Sequence, residues 1–69
     1  MIIYGSSVSP YVRKVLVALY EKDVAFEHRP VGFHAPDPDF RAASPMGKIP
    51  AMEEAGYRLA DSSAILDYL

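Results

Sequence analysis

The stretch Ser9-Pro10-Tyr11-Val12-Arg13-Lys14-Val15 carries the residue types and spacing from which chemistry is most directly read. Serine is a preferred N-cap, and proline suits the first helical position because its missing N–H would have no partner there. Val12, Val15, Leu16 and Leu19 follow at helical spacing, so a helix starts at Ser9. The first-turn amides lack intrahelical partners and the macrodipole adds partial positive charge, so this helix end can receive an anion beside the Ser9 hydroxyl. The same residues are also ordinary capping grammar, and alone they do not separate the two readings. Cysteine is absent, which excludes disulfides, thiolate zinc sites and a cysteine nucleophile. Neither His28 nor His34 stands at metal-ligand spacing.

Around this stretch the chain alternates between strand and helix signals. Ile2-Ile3-Tyr4 is a short apolar run stopped by Gly5-Ser6-Ser7, which predicts a buried strand and a turn feeding the helix. Lys22-Asp23 ends the helix, and Val24 to Val31, with Val24, Phe26 and Val31 among polar residues, predicts a second strand. Strand, helix and strand in this order imply a parallel pair with a right-handed crossover. Gly32 to Pro38 is a surface loop, and Asp37 or Asp39 caps a short helix through Phe40-Arg41-Ala42-Ala43. Ser44-Pro45-Met46-Gly47 breaks that helix. Lys48-Ile49-Pro50-Ala51-Met52 begins a third strand, Glu54-Ala55-Gly56 turns it, and Tyr57-Arg58-Leu59-Ala60 returns antiparallel. Asp61-Ser62-Ser63 is another run of N-cap types before the apolar Ile65, Leu66 and Leu69. The expected order is βαβαββα, with a mixed sheet and helices packed against it.

Sixty-nine residues make one small domain, which buries only about 60% of its unfolded surface and gains from a partner domain. No stretch approaches the roughly 18 apolar residues of a membrane span, and Met1-Ile2-Ile3-Tyr4 enters a strand with no basic leader, so the expected location is the cytoplasm. With 7 basic and 9 acidic residues the net charge is −2 and no basic stripe is present, which argues against nucleic acid as a partner. The helical pattern reaches Leu69 without a stop signal, so the chain is expected to be the front of a longer protein, cut within its last helix.

Two further features join the Ser9 stretch: Gly47-Lys48-Ile49-Pro50 before a strand, and Asp61-Ser62-Ser63-Ala64-Ile65 opening a helix after a hairpin. In this order and spacing the three resemble the N-terminal thioredoxin-like domain of cytosolic glutathione transferases of the serine-type, bacterial-like kind, and the resemblance covers essentially the whole chain. It implies an α/β thioredoxin-like fold with a four-stranded mixed sheet, spanning residues 1–69, and an all-helical C-terminal domain that lies outside this chain. Ser9 then stands where the family's hydroxyl hydrogen-bonds the glutathione thiolate. The tetrapeptide Ser9-Pro10-Tyr11-Val12 also resembles the glutaredoxin Cys-Pro-Tyr-Cys site with both cysteines replaced, so the scaffold is kept and the redox chemistry lost.

The resemblance further implies that Lys48 reaches the glycyl carboxylate and that Ile49 pairs its backbone with the cysteinyl part of the tripeptide. Pro50 matches the family's cis-proline, while Asp61 and Ser62 hold the γ-glutamyl end, Ser62 at the carboxylate and Asp61 toward the α-ammonium. The acidic position is more often Glu in the family, so Asp61 is one methylene shorter. Ser6, Ser7 and Tyr4 compete with Ser9 for the catalytic hydroxyl, although Tyr4 within a strand reads first as core. His34 reads as a solvated loop side chain, and His28 reads as a strand-surface residue. Glutathione, with two carboxylates and one ammonium, meets groups of complementary sign. Its thiol has a pKa of about 8.5, and a helix N-terminus and a donated hydroxyl bond both favour the anion. The expected function is glutathione transfer to an electrophilic small molecule by a homodimeric full-length protein, with glutathione as co-substrate and no metal. The alternatives are a glutathione-dependent isomerase or dehalogenase on the same scaffold, or a non-catalytic transferase-like module for protein association.

Overall fold

The computed structural model describes all 69 residues. Its elements are β1 (Ile2–Tyr4), α1 (Pro10–Glu21), β2 (Glu27–Arg29), α2 (Pro38–Ala43), β3 (Ala51–Glu54), β4 (Tyr57–Ala60) and α3 (Ser62–Tyr68). The four strands form one sheet in the order β2-β1-β3-β4, with β1 parallel to β2 and antiparallel to β3, and β3 antiparallel to β4. This is the mixed sheet and βαβαββα order expected from the sequence.

Period-two alternation divides the core between the two faces of the sheet. Ile3 and Met52 join Val15, Leu19 and Ile65, so one face is covered by α1 and α3. Tyr4 and Ala51 point the other way, to Phe40 and Ala43 of α2, with Val12 and Ile49 closing the same cluster at the end of the sheet. The helix starts follow from their caps. The Ser9 hydroxyl accepts from the Val12 amide at 3.4 Å and Asp37 accepts from the Phe40 amide at 3.0 Å, each ahead of a proline in the first turn.

Two boundaries and one cap differ from the sequence reading. The second strand is only Glu27–Arg29, the polar middle of the expected Val24 to Val31. Its extent is set by the three residues that β1 offers as partners, while Val24 and Phe26 pack on one side cluster and Val31 on the other. The third strand starts at Ala51, so Lys48, Ile49 and Pro50 remain outside the ladder. At α3, Asp61 occupies the cap position but makes no side-chain cap bond, because its backbone is held at φ 90°.

Candidate functional site

Everything singled out as chemical lies at the end of the sheet where β1 runs out and β3 begins. Gly5 is the pivot. It is buried at φ 147°, and a Cβ there would stand 2.6 Å from Val12 Cγ2 and 3.3 Å from Ile49 Cβ. Only glycine lets the chain leave β1 between the head of α1 and the Ile49 segment. The turn that follows is fixed by its backbone: Ser6 N–H donates to Val31 O at 2.8 Å, and Ser9 N–H donates to Ser6 O at 3.1 Å. Ser9 is therefore delivered to the head of α1 with its oxygen accepting from Val12, which leaves its own hydroxyl hydrogen available to another acceptor.

The Lys48-Ile49-Pro50 segment is held by a residue that the sequence reading passed over. Ser44 is 1% exposed, donates its hydroxyl to Lys48 O at 2.7 Å and accepts from Lys48 N–H at 3.0 Å. Both polar groups of the Lys48 backbone thus end on one buried side chain, while the Lys48 side chain is exposed. Gly47, at φ 72°, permits a close approach to the Arg41 and His34 side chains, and its carbonyl accepts from His34 N–H at 2.8 Å. The part His34 plays is thus made by its backbone. The Ile49–Pro50 peptide is cis, and Pro50 O accepts from Asp61 N–H at 3.2 Å, joining this segment to the start of α3.

These connections open a cleft of about 400 Å³ lined by Lys48, Ile49, Pro50, Asp61, Ser62 and Ser63, with the aromatic rings of Tyr11 and Phe33 at its edge. That volume lies within the range of small-molecule sites, about 300–1,000 Å³. A second hollow of about 490 Å³ shares Lys48, Ile49 and Asp61 and extends past Ser44, Pro45 and Met46. Five of the six candidate residues therefore meet in one cleft. Ser9 is not among its lining residues, whereas Tyr11, two positions later in the chain, is. Tyr11 and Phe33 escaped the sequence reading; the signal available was an aromatic in a capping stretch and another in a loop, both left 58% and 62% exposed by the fold. Asp61 keeps a carboxylate that makes no cap bond, on a backbone conformation that non-glycine residues rarely adopt. Such outliers mark sites where the surroundings over-determine the geometry.

The competing groups differ in burial and in partners. Tyr4 is fully buried, its ring 5.9 Å from that of Phe40, and its hydroxyl has no partner. Burial pushes the Tyr4 phenol above its ordinary value, partly offset by the Arg29 guanidinium over its ring. A buried, more firmly protonated tyrosine is a core residue, as the sequence suggested. Ser6 lies in the turn ahead of α1, its hydroxyl accepting from Val8 N–H at 3.3 Å and, like that of Ser9, keeping its hydrogen. His28 is half-buried on β2, and its Nε2 lies 2.7 Å from Gly5 O.

Residues 3–69 match the family described as glutathione S-transferase, N-terminal domain. The chain belongs to that family. A glutathione S-transferase of Silene vulgaris is 39% identical across an alignment 70 positions long that covers 97% of this chain and 32% of that protein. Among solved structures, glutathione transferase F7 from Populus trichocarpa superposes with a TM-score of 0.82 at 40% identity, over 97% of this chain and 33% of that one. The theta-class glutathione S-transferase of Xanthomonas axonopodis pv. citri, solved with glutathione bound, gives 0.85 at 33% identity over 97% of this chain and 34% of its own. These relatives are plant and bacterial, so the likeness is to the transferase family at large and not to a bacterial branch. The transferase domain spans about a third of the length of the relatives it matches. No helix in it is long and apolar enough to cross a membrane.

Proposed function

We propose that this chain is the glutathione-binding domain of a serine-type glutathione transferase, in which Ser9 donates its hydroxyl to the substrate's thiolate. The observation that carries the reading is the single cleft that gathers Lys48, Ile49, Pro50, Asp61 and Ser62 from two separate sequence motifs. Its lysine and aspartate are opposite in sign to a carboxylate and an ammonium, and its serines add hydroxyl donors, as a tripeptide with two carboxylates and one ammonium requires. Lys48 takes the glycyl carboxylate, the free backbone of Ile49 beside Pro50 takes the cysteinyl unit, and Ser62 with Asp61 takes the γ-glutamyl end. The thiol then falls toward the head of α1, where the Ser9 hydroxyl and the positive end of the helix dipole favour the anion.

In the full-length protein an all-helical C-terminal domain supplies the remaining length, walls the pocket of an electrophilic small molecule and contributes to a homodimer in the cytoplasm. The support is the length of the relatives, about two-thirds of which lies outside this chain's match. Glutathione-dependent turnover of a chloronitroarene electrophile by the full-length protein tests the reading. Conjugate formation above the uncatalysed rate is expected. Tight glutathione binding with no turnover of electrophiles, isomerisable substrates or halides would instead assign the fold to a non-catalytic association module.

A further inference from the structure

We infer that His28 is a positioning residue for the thiolate site, acting through Gly5 on Ser9; this rests on the reading of Ser9 as the thiolate's hydrogen-bond donor. A carbonyl oxygen can only accept, so in the 2.7 Å contact with Gly5 O the His28 Nε2 carries the hydrogen and donates it. The other polar group of Gly5, its N–H, donates to Arg29 O at 3.0 Å. Both backbone groups of the pivot glycine are thus held by neighbouring residues of β2, one by main chain and one by an imidazole. The hold matters because Gly5 has no side chain to lock it. It is the point from which the Ser6 to Ser9 turn departs, and it sits where any Cβ would strike Val12 and crowd Ile49. A displacement of Gly5 therefore moves the Ser9 hydroxyl relative to the Ile49 backbone that receives the same cysteinyl unit. Misplacements of about 1 Å in such arrangements cost up to about 10²-fold in rate. The rest of the His28 ring borders a cleft of about 340 Å³ lined by Leu19, Tyr20 and Phe26, so replacement side chains have room.

The test uses full-length protein carrying His28→Leu, which removes the donor, and His28→Gln, whose amide reaches the same carbonyl. Steady-state kinetics with glutathione and a chloronitroarene are combined with ultraviolet titration of the bound thiol. For His28→Leu the expected result is a fall in kcat of about tenfold with little change in KM for glutathione, and a raised pKa of the bound thiol. His28→Gln should recover kcat to within about twofold of the parent. Parent-like kinetics in His28→Leu, or an equal loss in both variants, would overturn the inference. Ser9→Ala measured alongside keeps the two readings apart. A loss in Ser9→Ala with none in His28→Leu sinks the role of His28 alone. An unshifted thiol titration in Ser9→Ala removes the thiolate role of Ser9 and, with it, the route by which His28 is inferred to act.

Discussion

At the residue scale, the site divides into groups that face the ligand and groups that only hold those in place. Lys48 and Ser62 are proposed to meet different carboxylates of one tripeptide, and each charge-assisted bond is worth roughly 1.5–3 kcal/mol. Lys48→Ala and Ser62→Ala should each weaken glutathione binding about tenfold or more. Calorimetry on the full-length protein checks this, and unchanged affinity in either variant would remove that residue from the site. Tyr4 allows the opposite kind of prediction. Its phenol is held protonated by burial, so the folded chain binds this proton more tightly than the unfolded chain, whose tyrosines titrate near pH 10. The stability from this group is complete below about pH 10 and is lost as pH rises beyond it. Tyr68, raised chiefly by its hydrogen bond to Glu54, acts in the same direction. Tyr4→Phe removes a buried hydroxyl without a partner, so thermal unfolding at neutral pH should show equal or greater stability, by about 1 kcal/mol, with a shallower alkaline decline. Unchanged conjugation in that variant would also exclude Tyr4 from the chemistry.

At the element scale, legibility in the sequence followed how local each interaction is. The start of α1 could be read because cap, proline and apolar stripe all lie within a few consecutive residues. The limits of β2 could not, because Glu27, His28 and Arg29 form a strand only through the partner that β1 provides, and their own polarity argues against it. Asp61 looked like a cap from its type, yet its backbone turns the carboxylate away from that use. Ser44 looked like part of a helix-breaking turn, and its two bonds to Lys48 arise only once the loop closes. Ser44→Ala should release the Lys48 backbone and leave its N–H and C=O without that partner, raising KM for glutathione about tenfold while kcat changes little. A kcat loss with unchanged KM would show that the loop serves the reacting atoms instead of binding.

At the scale of the whole molecule, the sheet brings one end of three motifs together and α1, α2 and α3 hold it from both faces. The family and the fold were legible because the motifs stand in register; what the sequence left open was which hydroxyl faces the thiol, since Ser6, Ser7 and Ser9 share one turn. Ser6 accepts from Val8 N–H within the turn, and Ser9 accepts from Val12 N–H at the helix head. The most direct measurement is therefore the ultraviolet titration of glutathione bound to the full-length protein, for the parent and for Ser9→Ala. The account predicts a bound thiol well below its free pKa of about 8.5 in the parent, a rise toward that value in Ser9→Ala, and a conjugation rate lower by about 10²-fold. An identical titration in the two proteins, with stability alone reduced by about 1 kcal/mol, would mean that Ser9 only caps the helix and would contradict the account.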